Sequence, residues 1–270
     1  MDGLKESWIN AEKLPLVIEP SEPMSLEKTL EVISLNKEIL KKKLLKSGGL
    51  LFRNFPFSNE KEFAALIATI DEGQFIDYIG GDSPRTKIHD GIYTSTEAPP
   101  SIKIPLHNEL SFVKKYPKRI YFYCHVAPNE NGETTVADAR KVYNAVDSSV
   151  KSAFIAKGIK YTSNYYYKSQ LMNLLNELQP SHKSWINVFE TEHKGIVEEK
   201  CIENEFEYKW NQSEWLEISQ KRPAVISHPI TNEKVWFNQA HLYDFNPKLL
   251  GWWRYLGAKV LYCRKHMRLH

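Results

Sequence analysis

At 270 residues, 42% of them apolar and 12% aromatic, the chain is long enough for one large domain with a full core and too apolar for global disorder. Its 36 basic and 33 acidic residues leave a net charge of +3, too balanced to predict a nucleic-acid partner. Cys124, Cys201 and Cys263 form no CxxC pair, which disfavours a cysteine-rich zinc site and a disulfide scaffold and fits a reducing compartment.

The opening MDGLKESWIN lacks a basic segment followed by an apolar run, and no apolar run approaches a membrane span. A soluble cytoplasmic protein with no membrane partner is therefore expected. Residues 26–46 carry Leu26, Leu30, Ile33, Ile39, Leu40 and Leu44 at helical spacing, with Ser25 to cap the start and Gly48-Gly49 to end the run. LLFRNF (50–55) reads as a strand closed by Pro56. Asn59 with Glu62 resembles a capping pair, and Phe63, Leu66, Ile67 and Ile70 follow on one helical face.

From 72 to 118 turn-forming residues are frequent, and GGDSP and EAPPS mark turns. RIYFYCHV (119–126) alternates and is aromatic and β-branched, so it reads as a strand. NENGE (129–133) is a turn, and TTVAD (134–138) starts a strand that hands over to a helix capped by Asp138. That helix carries Val142 and Val146, and a second carries Val150 and Phe154. IKYTSNYYY (159–167) is strand-like, and SWINVFET (184–191) precedes a charged helix over 192–204. AVISHP (224–229) and KVWFN (234–238) read as a hairpin around ITNE, and the stretch from Pro247 to about Arg264 reads as helix. Helices come first and strands with long loops later, which predicts an α+β fold on an antiparallel β-core. A single domain over 1–270 is expected, with a helical and strand part to about residue 72 and a core with a helical insert after it.

Chemistry concentrates in IPLHNELSF (104–112). On an extended segment, His107 and Glu109 point to the same side. With a distant second histidine they would complete a 2-His-1-carboxylate triad, which leaves three positions open on Fe(II). Chance alone supplies such a pair in a chain with nine histidines, so an ordinary hydrogen-bonded loop pair is the plain alternative.

The context is more specific. GGDSPRTKIHDGIYTSTEAPPSIKIPLHNELSFVKKYPKRIYFYCHVAPNENGETTVADAR, followed by SWINVFETEHKGIVEEKC and RPAVISHPITNEKVWFNQAHLYD, closely resembles the taurine dioxygenase (TauD/TfdA) superfamily of iron(II)/2-oxoglutarate-dependent oxygenases. The likeness is to the branch of clavaminate-synthase-like enzymes and the syringomycin-pathway aspartyl hydroxylase, and it runs from about residue 47 to the end. The resemblance implies a double-stranded β-helix (jelly-roll) core with flanking helices. It implies Fe(II), 2-oxoglutarate and O2, and hydroxylation of an unactivated C–H bond in a small molecule. In that branch the molecule is often an amino acid, free or tethered to a carrier protein, in specialised metabolism. The carboxylate at 109 points to hydroxylation over halogenation, since related halogenases carry a small residue there.

Carried over by motif, His107 and Glu109 match the first two metal ligands. Thr134 in GET matches the threonine that hydrogen-bonds a 2-oxoglutarate carboxylate, 27 residues (134 − 107) after His107. Read alone, Thr134 is a strand-former after a turn. The family's distal ligand and its anchoring arginine lie in a late GD…DN…HGR…R segment that 1–270 does not contain, so the third ligand and the last strands are expected beyond residue 270. His241 in NQAHLYD is the substitute nearest in pattern, although the related enzymes place that stretch on the substrate side. Arg85 suits a bidentate pair with a substrate carboxylate; a solvent-exposed loop arginine is the alternative. Asn238 and Gln239 suit hydrogen bonds to substrate or the ordering of the metal pocket. A catalytically degenerate oxygenase-fold binding protein is the opposing expectation, on the strength of the missing distal segment. The sequence does not set the oligomeric state.

Overall fold

The computed structural model describes residues 1–76, 85–89, 91–95, 104–130, 132–169, 184–242, 251–253 and 255–256. The N-terminal part is a small sheet with helices laid against it. β1 (Leu4–Trp8) and β2 (Leu16–Pro20) form an antiparallel pair, Leu4 opposite Pro20 and Trp8 opposite Leu16. β3 (Leu50–Phe52) joins β2 in parallel, Ile18 opposite Phe52. β2 is the central strand, and Leu16, Val17 and Ile18 are all buried, as a strand flanked on both edges requires. Leu16 and Ile18 pack with Val32, Ile33, Leu40, Leu66 and Ile70 from the helices.

The helix expected over 26–46 is two helices, α1 (Leu26–Leu35) and α2 (Lys37–Ser47). Asn36 separates them. Its buried Nδ2 donates to the carbonyls of Val32 and Asp2, at 2.8 and 3.0 Å, and holds the backbone away from helical angles. Asparagine breaks helices by this competition for backbone groups. The strand expected over 50–55 stops at Phe52, because Asn54 takes a left-handed φ of 62°. α3 (Glu60–Ile70) starts as anticipated. Asn59 accepts from the Lys61 and Glu62 amides, Glu62 accepts from Ser58, and Phe63, Leu66, Ile67 and Ile70 are buried.

β4 (Lys87–His89) and β5 (Ile92–Tyr93) are a short antiparallel pair. Residues 119–126 alternate as read: Tyr121 and Tyr123 turn inward, while Ile120 and Phe122 face out. No strand among the described residues pairs with them, and neither does one pair with 134–138, so neither segment is a ladder strand. Alternation sets which side chains are buried, but a strand also needs a neighbour for its N–H and C=O groups. Asp138 does cap α4 (Ala139–Ala145), accepting from the Arg140 amide at 2.9 Å. α5 (Ser148–Lys157) follows and leads into β6 (Ile159–Tyr165).

β6 belongs to a three-stranded antiparallel sheet in the order β6-β8-β7, with β7 Glu207–Trp210 and β8 Leu216–Arg222. α6 (Trp185–Phe189) and α7 (Lys194–Glu203) cover it through Trp185, Phe189, Val197 and Cys201, which pack on Leu216 and Ile218. The same core takes in Leu110 and Val113 from the loop that carries His107 and Glu109. The expected hairpin is present as β9 (Val225–Ser227) against β10 (Lys234–Trp236), with Phe154 of α5 packed on Trp236.

The described residues thus form four small sheets with helices, and no double-stranded β-helix is delineated among them. The turns at GGDSP and EAPPS lie outside the described residues, as does most of the helix expected from Pro247. No helix among the described residues is long and apolar enough to cross a membrane.

Candidate metal centre

Residues 104–108 belong to no helix or strand and lead into a turn at 109–112. Two apolar side chains anchor that turn: Leu110 is 2% exposed, Val113 is buried beside it, and both sit in the core under β8. The chain reverses through Leu110, whose φ is +51°, and the Val113 amide donates to the Leu110 carbonyl at 3.1 Å. The ligand candidates are therefore held at the edge of a packed core.

His107 Nε2 lies 3.6 Å from Glu109 Oε2, with both side chains largely shielded from solvent. His107 Nδ1 is 2.9 Å from the Pro105 carbonyl oxygen. A proton on Nδ1 donates to that carbonyl and aims Nε2 at the carboxylate; this is the orientation a metal-ligating histidine needs. The Glu109 carboxylate raises the His107 pKa, burial opposes it, and the Pro105 carbonyl adds to the rise. A cation between the two residues would be held by both donors. Donors at this separation can both lie about 2.1 Å from one ion, and one imidazole nitrogen with one carboxylate oxygen suits a first-row divalent metal. The pair fits a metal. Among the described residues no group of three or more His, Cys, Asp or Glu side chains converges.

Arg85 is at this site. Its Nη2 donates to Glu109 Oε2 at 3.2 Å, and its side chain is 20% exposed, so it is not a solvated loop arginine. Thr134 lies exposed on the segment before α4, and no hydrogen bond among the described residues joins it to the pair. Asn238 and Gln239 are buried, 1% and 4% exposed, and their amides meet the chain itself. Asn238 donates to the Ala224 carbonyl and accepts from the Ala240 amide, at 3.0 and 3.1 Å. Gln239 Nε2 donates to the Asn108 carbonyl, between the two candidate ligands. His241 does not join the pair; its Nε2 sits 2.6 Å from the Leu106 carbonyl oxygen.

Three participants have no distinct signal in the sequence. Asn108 donates through Nδ2 to the Trp236 carbonyl at 3.1 Å, and Tyr161 Oη accepts from the Gln239 amide at 3.0 Å. Burial raises the Tyr161 pKa, so its hydroxyl keeps its proton. Pro105 orients the imidazole through a main-chain atom, which no side-chain motif reports.

The His-x-Glu loop, its arginine and the Asn-Gln stretch lie within one match: the model of the taurine catabolism dioxygenase TauD, TfdA family covers residues 10–268. The chain belongs to the TauD, TfdA family. Among curated TauD, TfdA-like relatives, the dapdiamide synthesis protein DdaC of Enterobacter agglomerans is 34% identical over 200 residues, which is 74% of this chain and 57% of that protein. A clavaminate synthase-like protein of Arabidopsis thaliana is 27% identical over 220 residues, 81% of this chain and 66% of that one. The chain spans less than two thirds of the length of these two relatives. Both names agree with the branch of the family that the motifs resemble.

Proposed function

We propose that this protein is an iron(II)- and 2-oxoglutarate-dependent dioxygenase that hydroxylates an unactivated C–H bond of a small molecule, with residues 1–270 acting as one oxygenase domain. One observation carries the reading: in a TauD, TfdA chain, His107 Nε2 and Glu109 Oε2 face each other at 3.6 Å with the imidazole already oriented by Pro105. These two residues would hold the iron, and a third protein ligand would come from outside the described residues. When bound, iron with 2-oxoglutarate and O2 supplies the oxidising power that no amino-acid side chain has.

The chain's own residues bind and orient. Pro105 fixes the His107 tautomer, and Glu109 brings the negative charge that a divalent cation needs. Arg85 stands against the Glu109 oxygen that faces His107, and its planar donor fork suits the carboxylate of an incoming amino acid. Thr134 is assigned to a 2-oxoglutarate carboxylate by its GET motif. An amino acid, free or carrier-tethered, is the proposed substrate class. The relative named for dapdiamide synthesis supports a place in specialised-metabolite synthesis.

The test is an anaerobic titration of the purified protein with iron(II) and 2-oxoglutarate. A weak visible charge-transfer band is expected, together with succinate formation once air is admitted. No iron uptake and no band would refute the oxygenase reading and leave a binding scaffold.

A further inference from the structure

We propose that the segment 236–241 is a clamp that sets the spacing of His107 and Glu109, and that Gln239 is its main positioning residue; this rests on the metal reading above. Residues 104–108 pair with no strand among the described residues, so no ladder fixes them. Side-chain bonds from a distant segment do that instead. Gln239 Nε2 donates to the carbonyl of Asn108, the residue between the two ligands. Asn108 Nδ2 returns a bond to the Trp236 carbonyl at 3.1 Å, and His241 Nε2 meets the Leu106 carbonyl at 2.6 Å. The residues on either side of His107, Leu106 and Asn108, are thus both held by this segment.

The clamp is itself tied down. The Gln239 amide donates to Tyr161 Oη on β6, and Asn238 bonds the Ala224 carbonyl beside β9. Gln239 therefore joins the edge of one sheet to the ligand loop. Both amide side chains are almost fully buried, and their hydrogen bonds go to the chain itself. Removing the Gln239 donor would leave a part-buried carbonyl short of a bond and let the loop relax. Ligand pairs tolerate displacement of only about 0.5 Å, and losing such an outer partner costs roughly 10- to 100-fold in metal affinity.

The experiment uses the full chain, stripped of metal, with cobalt(II) as the probe. Gln239→Leu is expected to weaken cobalt binding about 10-fold or more and to shift the cobalt visible spectrum. Asn108→Ala, which keeps the carbonyl that Gln239 uses but cuts the Trp236 bond, is expected to shift both in the same direction. Val32→Ala, in the separate N-terminal core, is the control for lost stability and should change neither. If Gln239→Leu does not fold, Asn108→Ala decides alone. Wild-type affinity and spectrum in the folded variants overturn the clamp while leaving the metal site intact. An equal loss in Val32→Ala also overturns it, because the effect is then general stability. If the wild type binds no cobalt, the metal reading fails instead, and the clamp falls with it.

Discussion

Arg85 and Glu109 form an ion pair at 3.2 Å across 24 residues of sequence, and the carboxylate oxygen involved is the one that faces His107. The candidate ligand therefore sits between a cationic guanidinium and an imidazole before any metal arrives. This fixes the expected effect of removing the arginine. A positive charge beside the site opposes a divalent cation, so Arg85→Ala should not weaken metal binding. Cobalt affinity is expected to rise by roughly fivefold, about 1 kcal/mol, an amount ordinary for one partly exposed charge pair. Affinity for the amino-acid substrate should fall. A tenfold loss of cobalt affinity, measured by competition with a chelator, would make Arg85 a structural support for Glu109 instead.

Glu109→Ala separates chemistry from folding. The side chain is not a member of the apolar cluster that anchors Leu110 and Val113. Metal content after reconstitution should drop at least 100-fold and 2-oxoglutarate turnover should vanish, a size typical of losing a direct ligand rather than an outer one. The thermal midpoint of the metal-free chain should stay within a few degrees. Wild-type turnover in this variant would remove Glu109 from the metal.

Much of this was legible from residue pattern alone. Local rules place Asn59, Glu62 and Asp138 at helix starts, and the hairpin around ITNE closes as its composition says. The closeness of His107 and Glu109 was legible because both residues lie within one short motif. Its support was not, because Asn108 and Gln239 are 131 residues apart and meet through a backbone carbonyl that any residue possesses. β8 was unread for a related reason. It is the central strand of its sheet, yet it buries Ser219 and Gln220, and hydropathy reads such polar residues as solvent-facing. The strand pattern at 119–126 predicted the inward and outward faces but not the missing neighbour, since pairing is a property of another segment.

Asp71 closes α3 onto the 119–123 segment, accepting from both Arg119 and the Tyr121 hydroxyl. Burial pushes its pKa up, but the bonds from Arg119 and Tyr121 together outweigh that, and the carboxyl titrates below its usual range. Burial and Asp71 push Tyr121 up to about 12, so its hydroxyl remains a donor at any ordinary pH. A depressed folded-state value favours the ionised form in the native state. Its stabilisation is therefore complete above the unfolded carboxyl value, about 3.9, and is lost as pH falls through the folded one. Asp71→Asn should lower stability at pH 6 by about 1 kcal/mol and show a flatter fall as pH drops below about 4. Parallel melting curves for the two proteins across that window would show that this cluster has no part in acid unfolding.

Leu110 links the core to the site. It follows Glu109 directly, adopts a left-handed φ of +51°, and is 2% exposed in the cluster with Trp185, Phe189 and Leu216. That backbone conformation costs roughly 1–2 kcal/mol for a residue with a side chain, so burial of the leucine must hold the turn in place. Leu110→Ala keeps the unfavourable φ and removes most of the buried surface. It should destabilise the chain by about 2–4 kcal/mol, as truncating a buried leucine does. The turn should also loosen, weakening cobalt binding by about 10-fold. Val197→Ala opens a cavity in the same cluster from α7, at a residue that is fully buried but not adjacent in sequence to a candidate ligand. It should lower the thermal midpoint while leaving cobalt affinity unchanged. If the two variants lose metal equally for equal losses of stability, the turn at Leu110 has no special hold on Glu109.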